Sequence, residues 1–104
     1  MHKGNVSLNI EKLNESSEIL RALAHPLRMQ ILDFIDKNEK INVNKIYNTL
    51  KLEQSITSQH LRILRMAGIV NTHRDGKFIH YSIDYSKVSN AVKAIDSFHQ
   101  FDLA

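Results

Sequence analysis

Between positions 43 and 83 the chain sets two helical runs, joined by three residues, directly ahead of two β-rich runs joined by Asp75-Gly76. No other feature constrains the fold as much. The first helical run covers about Val43 to Leu50 and the second about Gln54 to Ala67, and the connection from Lys51 to Glu53 is short enough to make them a helix-turn-helix. Gly68 closes the second helix as a left-handed cap. Ile69 to Arg74 and Lys77 to Ile83 read as strands, and the Asp-Gly pair between them is a strong hairpin signal, so residues of about 69–83 form a two-stranded wing.

The flanks supply three more helices. Leu8, Ile10, Leu13, Ile19, Leu20 and Leu23 recur at helical spacing over about 8–24, until His25-Pro26 stops the run. Pro26 suits the first turn of the next helix, where Leu27, Ile31, Leu32 and Ile35 form one face as far as about Lys37; Lys37 to Lys40 reads as a loop. Asp84 or Ser86 caps a last helix of about 87–101, with Val88, Val92, Ile95 and Phe98/His99 as its apolar stripe. At 104 residues and 42% hydrophobic content, with no linker or repeat, residues 1–104 make one domain. The fold class is mainly α with a small β-hairpin, in the order α-α-α-α-β-β-α: a winged helix-turn-helix.

The helix from Gln54 to Ala67 separates two chemistries when plotted at about 100° per residue. Gln54, Ser55, Ser58, Gln59, Arg62 and Arg65 share one arc; Ile56, Thr57, His60, Leu61, Ile63, Leu64 and Ala67 share the other, and Met66 intrudes on the polar side. Gln and Ser near a helix N-terminus hydrogen-bond base edges in the major groove, while Arg suits guanine or phosphate. Arg74 and Lys77 flank the hairpin turn, where cations reach phosphates or the minor groove. The charge distribution agrees. Residues 54–80 carry four Lys/Arg and one Asp/Glu, against eight and seven before them and two and three after, so the net charge of +3 is concentrated there. Double-stranded DNA is the expected partner.

Other function classes find less support. No Gly-rich phosphate loop is present among 3 glycines in all, and no nucleophile-base motif, so no enzyme is expected. An adaptor for protein or RNA would not need a Gln/Ser/Arg arc that also holds the charge. With no cysteine, disulfides and thiolate chemistry are excluded, and with no signal-like or membrane-length apolar run the expected location is the cytoplasm, away from any membrane. Asn5-Val6-Ser7 and Asn14-Glu15-Ser16 match the glycosylation pattern by chance in that setting.

The stretch Gln54-Ser55-Ile56-Thr57-Ser58-Gln59-His60-Leu61-Arg62-Ile63-Leu64-Arg65-Met66-Ala67-Gly68-Ile69-Val70 resembles the recognition-helix signature of the ArsR/SmtB family of bacterial repressors. Arg74-Asp75-Gly76-Lys77 with Tyr81 is similar to that family's wing, and Leu23-Ala24-His25-Pro26-Leu27-Arg28 to its lead into the second helix. The resemblance implies a homodimeric repressor whose first and last helices pack across a two-fold axis, with Leu8, Leu13, Leu20, Val88, Val92, Ile95 and His99 as interface residues. It also implies an imperfect inverted repeat as operator. Four positions depart from the family: Lys51 stands where a turn Gly is usual, Glu53 where a capping Ser is frequent, and Ile56-Thr57 reverses the usual polar-then-apolar order, which turns Thr57 inward.

Metal release of DNA, familiar in the family, lacks its ligands here. The cysteine site falls near Asn42, and the last-helix site reads Asp84, Ser86, Ser97 and Gln100, or Tyr85, Lys87, Phe98 and Phe101 one residue on. A third register offers His99 and Asp102 but fills its first half with Ser86 and Val88, short of a four-coordinate site. His60 is expected to be a core or hydrogen-bonded histidine. No cofactor is expected; the effector is open between an organic ligand at the dimer interface, a partner protein and the regulator's own concentration.

Overall fold

Pro26 decides where the first two helices part. The computed structural model describes residues 10–103; the side chains of 12 and 95–103 lie outside that description. Helix α1 spans Ile10–Leu23, and α2, Pro26–Asn38, begins with Pro26 in its first turn, where a missing N–H costs nothing. His25 caps α2, its Nδ1 accepting the Leu27 N–H at 3.1 Å.

Strand β1, Ile41–Asn42, leads straight into α3, Val43–Leu50, whose N-terminus is capped by Asn42 Oδ1 accepting from the Lys45 N–H at 2.9 Å. Helix α3 ends at Lys51, held in the left-handed region at φ 57°, ψ 49°. Helix α4, Gln54–Met66, follows with Glu53 at its N-cap making no side-chain capping bond. Gly68, at φ 79°, reverses the chain after α4, and the N–H groups of Gly68 and Ile69 donate to the Arg65 and Leu64 carbonyls at 3.0 Å each.

Strands β2, Val70–Asp75, and β3, Phe78–Ile83, pair antiparallel from Val70 opposite Ile83 to Asp75 opposite Phe78. This corrects two expectations for the wing. Asp75 belongs to the ladder and the two-residue turn is Gly76-Lys77, with positive φ at Gly76 (62°) and not at Lys77, as a type II′ turn requires. The sheet also has three strands, ordered β1-β3-β2, because Ile41 and Asn42 pair with Tyr81 and His80. Helix α5, Tyr85–Leu103, starts two residues before Lys87, capped by Asp84 Oδ1, which accepts the Lys87 N–H at 3.1 Å. The Tyr85 hydroxyl donates to an Asp36 carboxylate oxygen and ties the start of α5 to α2.

One core joins these elements. Ile31 and Ile35 from α2, Ile46 from α3, Leu61 and Leu64 from α4, and Ile69 and Val70 beyond it are all fully buried or within 2% of it. Helix α1 lies along α5 beside this core, contributing Ile19 and Ala22 against Ala91. The apolar stripes of the two outer helices therefore spend part of their area on each other. Among the described residues, no helix is long and apolar enough to cross a membrane.

Candidate nucleic-acid interface

The outward face of α4 is set by what its inward face needs. Thr57, Leu61 and Leu64, spaced four and three residues apart, are completely buried and fix the helix rotation. Thr57 keeps its hydroxyl satisfied by donating to the Glu53 carbonyl at 2.8 Å. With that seam inside, Gln54, Ser55, Ser58, Gln59, Arg62 and Arg65 are all exposed along one side of the helix. Glu53, Gln54, Ser55 and Ser58 border an open hollow of about 510 Å³ at its N-terminus.

The apolar arc is narrower than its composition suggested. Ile56 is 37% exposed and Ile63 42%, so both leave the inward set to which periodicity assigned them, and Met66 stands outward at 74%. At about 100° per residue, Ile56 and Ile63 fall about 100° and 120° from Thr57, on the flank of the seam. That angle was the signal available in the sequence.

His60 occupies the opposite situation, on the inward side but at the edge of the core. Its ring lies 4.6 Å from that of His25, centroid to centroid, and its Nδ1 is 3.2 Å from an Arg28 guanidinium nitrogen. Arg28 also donates from Nε to the Ala22 carbonyl at 2.5 Å. One guanidinium thus links the end of α1, the start of α2 and the middle of α4. Burial, and then the neighbouring His25 and Arg28, lower the His60 pKa below the usual histidine value, so the neutral ring faces Arg28.

In the wing, Arg74 and Lys77 are both exposed, as are Thr72, His73 and Phe78. Arg74 donates from Nε to the Gly76 carbonyl at 3.3 Å, which holds its guanidinium against the turn. The Lys77 ammonium sits 5.8 Å from the centre of the Phe78 ring. Lys77 is itself a turn residue, so it projects farther along the hairpin than a flanking position would allow.

Of the residues expected at a dimer interface, Leu13, Leu20 and Val88 are half-buried and Val92 is 45% exposed. Leu8 lies outside the described residues, as do the side chains of Ile95, His99 and Asp102. Among the described residues, no group of three His, Cys, Asp or Glu side chains converges in a way that could hold a metal ion.

This layout has relatives. Residues 25–72 match the family described as "Bacterial regulatory protein, arsR family". The transcriptional repressor PagR of Bacillus anthracis is 37% identical over 84 residues, which cover 81% of this chain and 84% of PagR. Its crystal structure superposes with a TM-score of 0.69 over 80% of this chain and 94% of that one. The transcriptional activator HlyU of Vibrio cholerae is 30% identical over 92 residues, 85% of this chain and 84% of HlyU. An ArsR-like transcriptional regulator from Rhodococcus sp. RHA1, only 17% identical, shares the fold at a TM-score of 0.81 over 89% of this chain and 88% of that one. The chain belongs to the arsR family of winged-helix proteins and is a DNA-binding transcriptional regulator.

Proposed function

We propose that the protein acts as a homodimeric repressor, with α4 of each subunit in successive major grooves of an inverted repeat and the wing against the flanking backbone. One observation carries this reading: the seam of Thr57, Leu61 and Leu64 leaves six hydrogen-bonding or cationic side chains of α4 exposed on one side. Gln54, Ser55, Ser58 and Gln59, in the first two turns, are the base readers; Arg62, Arg65, Arg74 and Lys77 hold phosphate or guanine. Similarity to a protein named as a repressor, PagR, supports the sign of regulation. HlyU is named as an activator, so the sign rests on the likeness to PagR and not on the layout.

The dimer rests on α1 and α5. Val92 stays exposed although α5 packs along α1, and Leu13 and Leu20 are only half covered, so a strip of apolar surface remains to be buried by a second copy. Regulation through the family's metal sites does not fit a chain that has no cysteine for the first site and places Ser86, Ser97 and Gln100 beside Asp84 at the last-helix site. The protein works in the cytoplasm, where the DNA is, and performs no catalysis.

Binding of a duplex selected from a random library, titrated over about 50–200 mM salt, tests this reading. Affinity for the selected duplex should fall linearly on logarithmic axes, with a slope of about −0.9 per phosphate contact. Two protected half-sites about one helical turn apart should appear in a footprint. A flat salt response, or no enrichment of any duplex, would overturn it.

A further inference from the structure

Ile56 and Thr57 present an unexpected arrangement on the first turns of α4. The hydroxyl-bearing side chain is the buried one, with its oxygen committed to the Glu53 carbonyl at 2.8 Å, while the pure hydrocarbon beside it stands 37% exposed. The opposite order would place hydrocarbon in the core and a hydroxyl on the surface with no buried polar group to satisfy.

A single exposed isoleucine is ordinary on a protein surface and by itself implies nothing. Its surroundings distinguish this one. Ile56 lies next to Ser55 and one turn before Gln59, both exposed, in the N-terminal part of the helix, the part of a recognition helix that reaches base edges. Ile63, equally apolar, exposed and on the same flank, sits two turns on, outside the N-terminal part of the helix, where it lines an open hollow with Arg21, Ala22 and Arg28.

Base edges in the major groove offer hydrogen-bonding groups at every pair, and one apolar feature, the 5-methyl group of thymine. We infer that Ile56 is a specificity-determining residue that packs on a thymine methyl, so that the preferred half-site carries thymine at the step facing the first turns of α4. Gln59, one turn on, pairs with adenine at the same or the adjacent step, and the two side chains together select an A·T-containing core. This inference rests on the reading that α4 enters the major groove.

Replacing thymine by deoxyuridine removes the methyl and leaves base pairing intact, which isolates the contact. The probe is a duplex selected by the wild-type protein from a random library, with each thymine exchanged in turn. One thymine per half-site should weaken binding roughly fourfold on exchange, the worth of one buried methyl group. In Ile56→Ala that position should become indifferent to the exchange with an unchanged salt slope, and Ile63→Ala should keep the wild-type response. Ile56→Val, which retains a branched side chain, should keep part of the discrimination and guards against a fold defect in the alanine variant. If no thymine responds in the wild type, or if Ile56→Ala responds as the wild type does, the assignment is wrong although duplex binding stands. If no duplex is enriched at all, the groove reading fails first and this assignment with it.

Discussion

Arg28 and His60 lie 32 positions apart in sequence and meet with a guanidinium nitrogen 3.2 Å from the imidazole Nδ1. The same guanidinium bonds the last turn of α1 through the Ala22 carbonyl. Removing it in Arg28→Ala should cost roughly 1.5–3 kcal/mol of stability, the range for hydrogen bonds made by a charged group. Urea unfolding with an unchanged m-value would measure this. A loss below about 0.5 kcal/mol would show that the junction does not depend on Arg28.

Protonation of His60 opposes this contact. Because its pKa is lowered in the folded protein, the unfolded chain takes up this proton first as pH falls below about 6.5. The stabilising contribution is therefore complete above that pH and is lost as pH drops through the folded value. His60→Gln, whose amide oxygen accepts from Arg28 without titrating, should lose less stability than wild type between about pH 7.5 and about pH 5. Equal losses in the two proteins would reject His60 as the group responsible.

Lys51 holds a left-handed conformation between α3 and α4, where a side chain with a Cβ is strained by roughly 1–2 kcal/mol. Glycine removes the strain and adds freedom to the unfolded chain, so Lys51→Gly should stabilise by about 0.5–1 kcal/mol net. Thermal melting detects that gain as a rise of a few degrees for a domain of this size.

The proposed division of labour between α4 and the wing has its own signature. Gln59→Ala or Ser58→Ala should relax sequence preference by about 1–3 kcal/mol at one position of the half-site. Arg74→Ala or Lys77→Ala should weaken all duplexes alike and reduce the salt slope by about one contact each. Competition binding with matched and scrambled duplexes separates the two patterns, and identical behaviour would remove the distinction between readers and anchors.

Val92→Asp should split the proposed dimer while leaving each subunit folded, since the native side chain is already exposed. Sedimentation would show a monomer, and far-UV circular dichroism an unchanged helix content.

The order of elements was legible because each carries its own period or its own terminator: Pro26 between the first helices, Gly68 after α4, and Asp75-Gly76 between two β-rich runs. Strand β1 was not legible, because Ile41 and Asn42 show no periodicity and pair only with residues some forty positions away. The exact turn was also hidden. Asp75-Gly76 fits a turn centred on both residues or one that starts at Gly76, and only the closure of Asp75 on Phe78 decides between them. At the candidate site, the polar residues of α4 were readable from the helical wheel. The exposure of Ile56 and Ile63 was signalled only by their angle on the wheel, which their hydrophobicity outweighed until the three-residue seam showed how little of the wheel the core occupies.

The smallest element of the sheet has a mechanical role. Asn42 is at once a β1 residue opposite His80 and the cap of α3, so β3, the inner strand of the wing, is fastened directly to the beginning of the helix-turn-helix. The wing and the start of α3 are thus joined through paired backbone as well as through the chain itself. In the proposed complex, docking the wing on the flanking backbone thereby limits how α4 tilts in the major groove, and the two contacts should be won or lost in a single step.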